Sequence, residues 1–286
     1  MARNSWSTDD IPDQSGRIAV VTGASAGLGA ETARVLAAKG ARVIMAVRDT
    51  DKGDAVTDAI RARGPEARVE VQSLDLAALP SVKRFAQGTR TRLTRLDLLI
   101  NNAGVMTPPA GRTRDAFELQ FGTNHLGHFA LAGQLLPLLQ ATPGARLVVL
   151  SSIAHRAGRL DLDDPNWEHR RYRAGRAYGD SKLANLLYMS ELVRRLGRDG
   201  PMVTAAHPGW TATELQRHSG PASFLNRFFA QDVETGALPT LRAATDPQAA
   251  PGDYFGPGGF MELGGPPVKV KPSARARDPE MAAKLW

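Results

Sequence analysis

The sequence predicts a single-domain α/β fold: a doubly wound parallel sheet with helices on both faces. Short, branched apolar runs alternate with longer helical patterns from Arg17 onward, and that alternation is what βαβ units produce. A glycine-rich turn directly follows the first run, where such sheets bind ligands. The 286 residues suffice to bury one large core, and no internal repeat divides them.

Taken in order, residues 1–16 are polar and without periodicity, which predicts a flexible N-terminal arm. Strands are expected at Ile18–Val21, Val43–Ala46, Val69–Gln72, Leu98–Ile100, Leu147–Leu150 and Val203–Ala206, short and branched as strands buried on both faces should be. Helices are expected at Ala30–Ala38, Thr50–Ala62, Pro80–Leu93, Asp115–Leu139, Gly179–Leu196 and Glu234–Ala244, with Gly40, Gly64 and Gly197 as stops. Past Pro247 the chain is rich in Gly and Pro, which suggests a looped segment with one edge strand.

Composition narrows the function. The absence of cysteine removes disulfides, thiol catalysis and thiolate-bound metal, so redox work has to come from a bound cofactor. No run reaches the roughly 18 apolar residues that span a bilayer, and the start has no apolar leader, so a cytoplasmic location is expected. The net charge of +7 is dispersed, and nucleic acid is not an expected partner. One local excess stands out: Arg156, Arg159, Arg170, Arg171, Arg173 and Arg176 crowd an insertion near residues 155–176. Its ordinary reading is a solvated arginine-rich loop; the sharper one is an acid-binding surface.

The segment RIAVVTGASAGLG sets Gly23, Gly27 and Gly29 between a strand and a helix, where backbone amides and the helix dipole can meet a pyrophosphate. By itself a glycine-rich turn also serves as a plain strand-to-helix connection. About 20 residues on, NAD sites of this design place a carboxylate on the ribose 2′-hydroxyl. Here Val47 and Arg48 occupy that place, which favours NADP(H) over NAD(H), although the neighbouring Asp49 could offset the arginine.

Tyr178 and Lys182 lie one helical turn apart and project from one face. An ammonium beside a phenol is expected to lower its pKa, giving a general acid for reduction and a general base for oxidation. Alone, such a spacing is more often a surface pair.

Its company changes that. TGASAGLG, Asp75 and Leu76, the NNAG of Asn101 to Gly104, Ser151 and Ser152, YGDSK and HPGWTAT follow one another between about Ile18 and Thr213 in the order of the short-chain dehydrogenase/reductase family, which the chain resembles. The resemblance implies a Rossmann-type fold and assigns roles residue by residue. Ser152, rather than Ser151, would hydrogen-bond the substrate oxygen; Asn124 would join a proton relay through its backbone; Lys182 would also hold the nicotinamide ribose. Gly23, Ser25, Gly27, Leu28 and Gly29 would line the phosphate turn. Asp75 and Leu76 would contact adenine, Asn101, Ala103 and Gly104 would floor the site, and Pro208, Gly209 and Thr211 would meet the carboxamide. Dimers or tetramers through the helices around Asn124 and Tyr178 are also implied. The 26-residue interval from Ser152 to Tyr178, the AVRDTDKG turn, SSIAH and the late LW are similar to the retinol-dehydrogenase and protochlorophyllide-reductase branch, which implies a bulky apolar or conjugated carbonyl or alcohol as substrate.

His125 and His128 are three apart, but no third ligand accompanies them and no metal is expected. His207 is expected to serve the backbone beside Pro208, while His155 and Tyr172 could reach substrate from the insertion. The rival class is a catalytically idle NADP-binding sensor, for which the full Asn124, Ser152, Tyr178 and Lys182 set would be superfluous.

Overall fold

The computed structural model describes residues 5–197, 199–210 and 231–286. All six expected strands form: β1 (Ile18–Thr22), β2 (Arg42–Val47), β3 (Val69–Ser73), β4 (Leu98–Asn101), β5 (Arg146–Leu150) and β6 (Met202–Ala206). Two more follow in the Gly/Pro-rich segment, β7 (Tyr254–Pro257) and β8 (Pro267–Lys269). The sheet order is β3-β2-β1-β4-β5-β6-β7-β8, parallel throughout except that β8 runs against β7. The reversal of strand order beside β1 opens a crevice at the carboxyl ends of β1 and β4, where sheets of this kind bind ligands.

Helices α1 (Gly27–Ala38), α2 (Thr50–Arg63) and α3 (Leu79–Arg92) link the first strands. A turn α4 (Leu119–Phe121) runs through a π-helical turn at Gly122–Leu126 into α5 (Gly127–Gln140); α6 (Ala174–Leu196), α7 (Val233–Thr245) and α8 (Pro279–Leu285) complete the helices described below. Because side chains alternate along a strand, the two sheet faces bury separate cores. Val20, Ile44, Leu99 and Leu147 pack with residues of α3, α5 and α6, while Val21, Met45, Ile100 and Val148 pack with residues of α1 and α7.

Two expectations give way. The described part of the N-terminal arm is not loose: Ser7 caps a short 3-10 turn, Ile11 is buried in the core beside α1, and the buried Gln14 takes the Lys39 carbonyl with its amide. A polar sequence hides this because Gln14 satisfies itself locally, through the Pro12 carbonyl and Arg17. The helix expected from Asp115 starts only at Leu119. Ala116 sits at φ 66, in the left-handed region that breaks a helix, and Glu118 caps the new start by accepting from the amides of Gln120 and Phe121.

Candidate active site

The glycine turn closes the end of β1. Gly23 has φ 67, and a Cβ there would lie 2.8 Å from that of Ala103; a Cβ on Gly29 would lie 2.4 Å from the Gly23 carbonyl. These glycines draw the turn, the NNAG segment and α1 together. The N-cap of α1 is Ala26, with no side-chain cap, so its first-turn amides face a cleft of about 320 Å³ without a protein acceptor from that position.

The cleft is lined from the turn by Gly23, Gly27, Leu28 and Gly29, from the end of β2 by Arg48, and then by Asp75 and Leu76. Ala103, Gly104, Tyr178, Lys182 and Pro208 line the rest. Asp49 does not quench Arg48: it caps α2 by accepting from the Lys52 amide and faces the Lys52 ammonium at 3.9 Å. Thr123, also on the wall, has a buried hydroxyl with no partner among the described residues.

Other expected residues sit differently. Asn101 is buried as the last residue of β4, and its neighbour Asn102 lines the cleft instead, tied to β1 by a 2.7 Å bond to the Thr22 carbonyl. Ser25 and Gly209 are not among the residues lining this cleft, and Thr211 lies outside the described residues. Gly209, at φ 71, packs where a Cβ would strike the Leu263 carbonyl.

Tyr178, Lys182 and Asn185 follow one another along the inner face of α6. The Ser152 hydroxyl accepts from the Ala154 amide and lies against the Tyr178 phenol. Burial pushes the phenol up to about 12, and contact with Ser152 only partly opposes it. The expected lowering by Lys182 is therefore not seen: the ammonium lies 5.8 Å from the ring centroid and is itself brought down to about 8 by burial. Lys182 donates to the Leu150 carbonyl at 3.3 Å, and Ser151 is spent on the Lys182 carbonyl.

The π-turn places Asn124 at the centre of this network, fully buried. Its amide group grips both backbone groups of Val105 and donates to Ser181. Its backbone carbonyl takes donors from Asn185 and His128. Since that carbonyl only accepts, Nδ1 of His128 carries the proton and Nε2 accepts from Thr22, whose oxygen in turn accepts the amides of Asn102 and Ala103. Burial holds His128 at about 3 and His125 at about 4, so both are neutral, and no group among the described residues could hold a metal ion.

Two connections escape sequence reasoning. His207 serves the backbone as expected, its Nδ1 accepting the Gly209 amide at 3.3 Å, so Nε2 carries the proton that points at Glu262, 3.0 Å away. Glu262 also holds Arg156 at 2.7 Å and sits at φ 59, beside Met261 at φ 52. Such strain in two non-glycine residues persists only where surroundings enforce it. Tyr172 and Asn166 of the insertion bind the buried Glu118, and Tyr172 also binds Gln120; His155 is locked between the Ser152 carbonyl and the Ser273 amide. His155 and Tyr172, which from sequence could have reached substrate, are thus both engaged in holding the wall together.

Comparison with known proteins agrees with this geometry. The family model described as short chain dehydrogenase matches residues 17–223. Human retinol dehydrogenase 13 is 41% identical over 282 residues, 95% of this chain and 82% of that protein. The crystal structure of an uncharacterized Mycobacterium paratuberculosis protein superposes with a TM-score of 0.83 at 46% identity, covering 99% of this chain and 95% of that one. The Pseudomonas aeruginosa RhlG/NADP active-site complex superposes at 0.68 with 26% identity, covering 84% and 94%. With its sheet order, its glycine turn, Tyr178 and Lys182 lining one cleft, and Ser152 held against the Tyr178 phenol, the chain belongs to the short chain dehydrogenase family, in its retinol dehydrogenase-like branch.

Proposed function

We propose that the chain is an NADP(H)-dependent oxidoreductase that interconverts a carbonyl and an alcohol, with Tyr178 as proton donor. The observation that carries this reading is the single cleft that joins the uncapped start of α1 and Arg48 at one end to Tyr178 and Lys182 at the other. The residues present fit a dinucleotide phosphate. Gly23 and Gly29 leave a cradle that side chains would fill, the N-cap of α1 offers its first-turn amides no side-chain acceptor, and Arg48 has no ion pair among the described residues, which suits a 2′-phosphate. Bound nicotinamide supplies or takes the hydride.

The protein's part is position and proton delivery. Ser152 offers its hydroxyl proton to the substrate oxygen and Tyr178 transfers its own to the same atom. A phenol pushed up to about 12 keeps its proton at neutral pH, which suits donation in the reductive direction more than withdrawal. Asn124 acts as a positioning residue, fixing Val105 and, through Asn185 and Ser181, the inner face of α6. Lys182 holds positive charge near the ring and, by the family's pattern, the ribose hydroxyls. Val105 and Leu119 give the cleft apolar wall, in keeping with a bulky apolar or conjugated substrate and with the names of the relatives. A homodimer or homotetramer through α5 and α6 would have to accommodate α8, whose neighbour Trp286 stacks on Tyr188 and meets Phe129 edge-on.

The test is NADPH and NADH oxidation against a panel of long-chain and conjugated aldehydes. NADPH-preferring turnover is expected; turnover with NADH alone would overturn the cofactor assignment, and none with any carbonyl would overturn the reaction.

A further inference from the structure

The insertion between Ser152 and Tyr178 holds a second concavity that shares no lining residue with the cleft. It encloses about 360 Å³ and is lined by Arg159, Trp167, Arg170, Arg171, Arg173 and Arg176: five cations and no acid. It lies toward the outer face of α6, because Arg176 and Tyr178 are two residues apart and so point about 200° away from each other around the helix. Two of the guanidiniums are fixed. Arg170 is seated 3.9 Å over the Trp167 ring and faces Asp161, Asp164 and Asp180, while Arg176 donates to the Ala157 carbonyl. Arg159, Arg171 and Arg173 are exposed and have no ion pair among the described residues.

This arrangement opposes ordinary electrostatics. The cluster meets the start of α6, a 23-residue helix whose positive dipole end disfavours cations, and Arg173 is itself the N-cap, with neither a side-chain cap nor an acid in the first turn. Beyond the aspartates that face Arg170, like charges are gathered where the backbone adds more of the same sign. Trp167, a bulky residue, is held at φ 59 to form the wall. All five cations are arginine, whose planar fork pairs bidentately with phosphate oxygens in a way lysine cannot.

We propose that this arginine cavity binds a phosphate group, carried by a soluble phosphate ester or by a lipid headgroup. Its tetrahedral oxygens would accept from the free guanidiniums and relieve their mutual repulsion at the helix start. The site is independent of the cofactor reading, since its walls are separate from the cleft.

Calorimetric titration of the full chain with inorganic pyrophosphate at fixed ionic strength tests this, using wild type, Arg171→Ala/Arg173→Ala and, as a control for the cleft, Arg48→Ala. A saturable event that survives Arg48→Ala and weakens at least about tenfold in the double variant is expected from losing charge-assisted bidentate contacts. Absence of saturation, or an affinity unchanged in the double variant, would overturn the proposal. Because Arg171 and Arg173 are exposed, the double variant should fold, which its melting temperature checks. Cosedimentation with phosphatidic acid vesicles, measured against phosphatidylcholine alone, assigns the source: wild-type binding lost in the double variant identifies a headgroup, and pyrophosphate binding without cosedimentation identifies a soluble ester.

Discussion

Replacing Lys182 with methionine should abolish activity and yet stabilise the protein at neutral pH. Burial brings the ammonium from 10.5 down to about 8, a charged-state penalty of about 3 kcal/mol. Against this stands the single bond from Nζ to the Leu150 carbonyl, worth about 1 kcal/mol. That carbonyl is not orphaned by the change, since Asn185 also donates to it at 2.9 Å. A net gain of up to about 2 kcal/mol is expected for a methionine of similar reach. The sign of the pH dependence follows. A lysine whose folded pKa lies below its unfolded one carries its full penalty below about pH 8, and between 8 and 10.5 the unfolded chain binds the extra proton, so wild type gains stability as pH rises. The advantage of Lys182→Met should therefore be largest at pH 7 and shrink toward pH 10. Urea unfolding of both proteins at several pH values measures it. A variant less stable than wild type at pH 7, with a gap independent of pH, would refute the picture of a dry, uncompensated ammonium.

Arg48→Ala should raise the KM for NADPH about tenfold while leaving that for NADH unchanged, the scale of losing one exposed charge-assisted contact; steady-state kinetics with both cofactors decides. Glu262→Ala should free His207 and loosen the Pro208–Gly209 loop, raising cofactor KM more than it lowers kcat, while Glu262→Gln, which can still accept from Nε2, restores it. Reductive kcat/KM should fall as pH rises above about 8, where Lys182 loses its charge well before Tyr178, held near 12, loses its proton; a profile flat from pH 7 to 10 would count against a role for the ammonium.

What the sequence made legible was local. Branched runs such as Ile18–Thr22 and Arg146–Leu150 announced buried strands, and Gly23, Gly27 and Gly29 announced the turn. Tyr178 and Lys182 sit on one helical face because a spacing of four fixes it. What stayed hidden was long-range. β7 and β8 are three or four residues long and draw their stability from neighbours, so the Gly/Pro composition shows one edge strand where the sheet has two more strands. The 55 residues separating His207 from Glu262 give no periodic signal. The acidity of Tyr178 escapes sequence for the same reason: sequence shows the lysine one turn away but not the burial of both groups, and burial is the larger effect. Asn101 and Asn102 illustrate the limit of motif spelling, since adjacent residues at a strand end face different surroundings.

The central claim is that the Tyr178 phenol delivers the proton in a cleft that holds a nicotinamide dinucleotide. NADPH-dependent reduction of the best aldehyde, measured for wild type and Tyr178→Phe together with cofactor affinity by fluorescence, tests it most directly. Retained NADPH binding with kcat lowered by about 10²–10⁴ is the expected result for loss of a general acid. Turnover by Tyr178→Phe equal to that of wild type would contradict it.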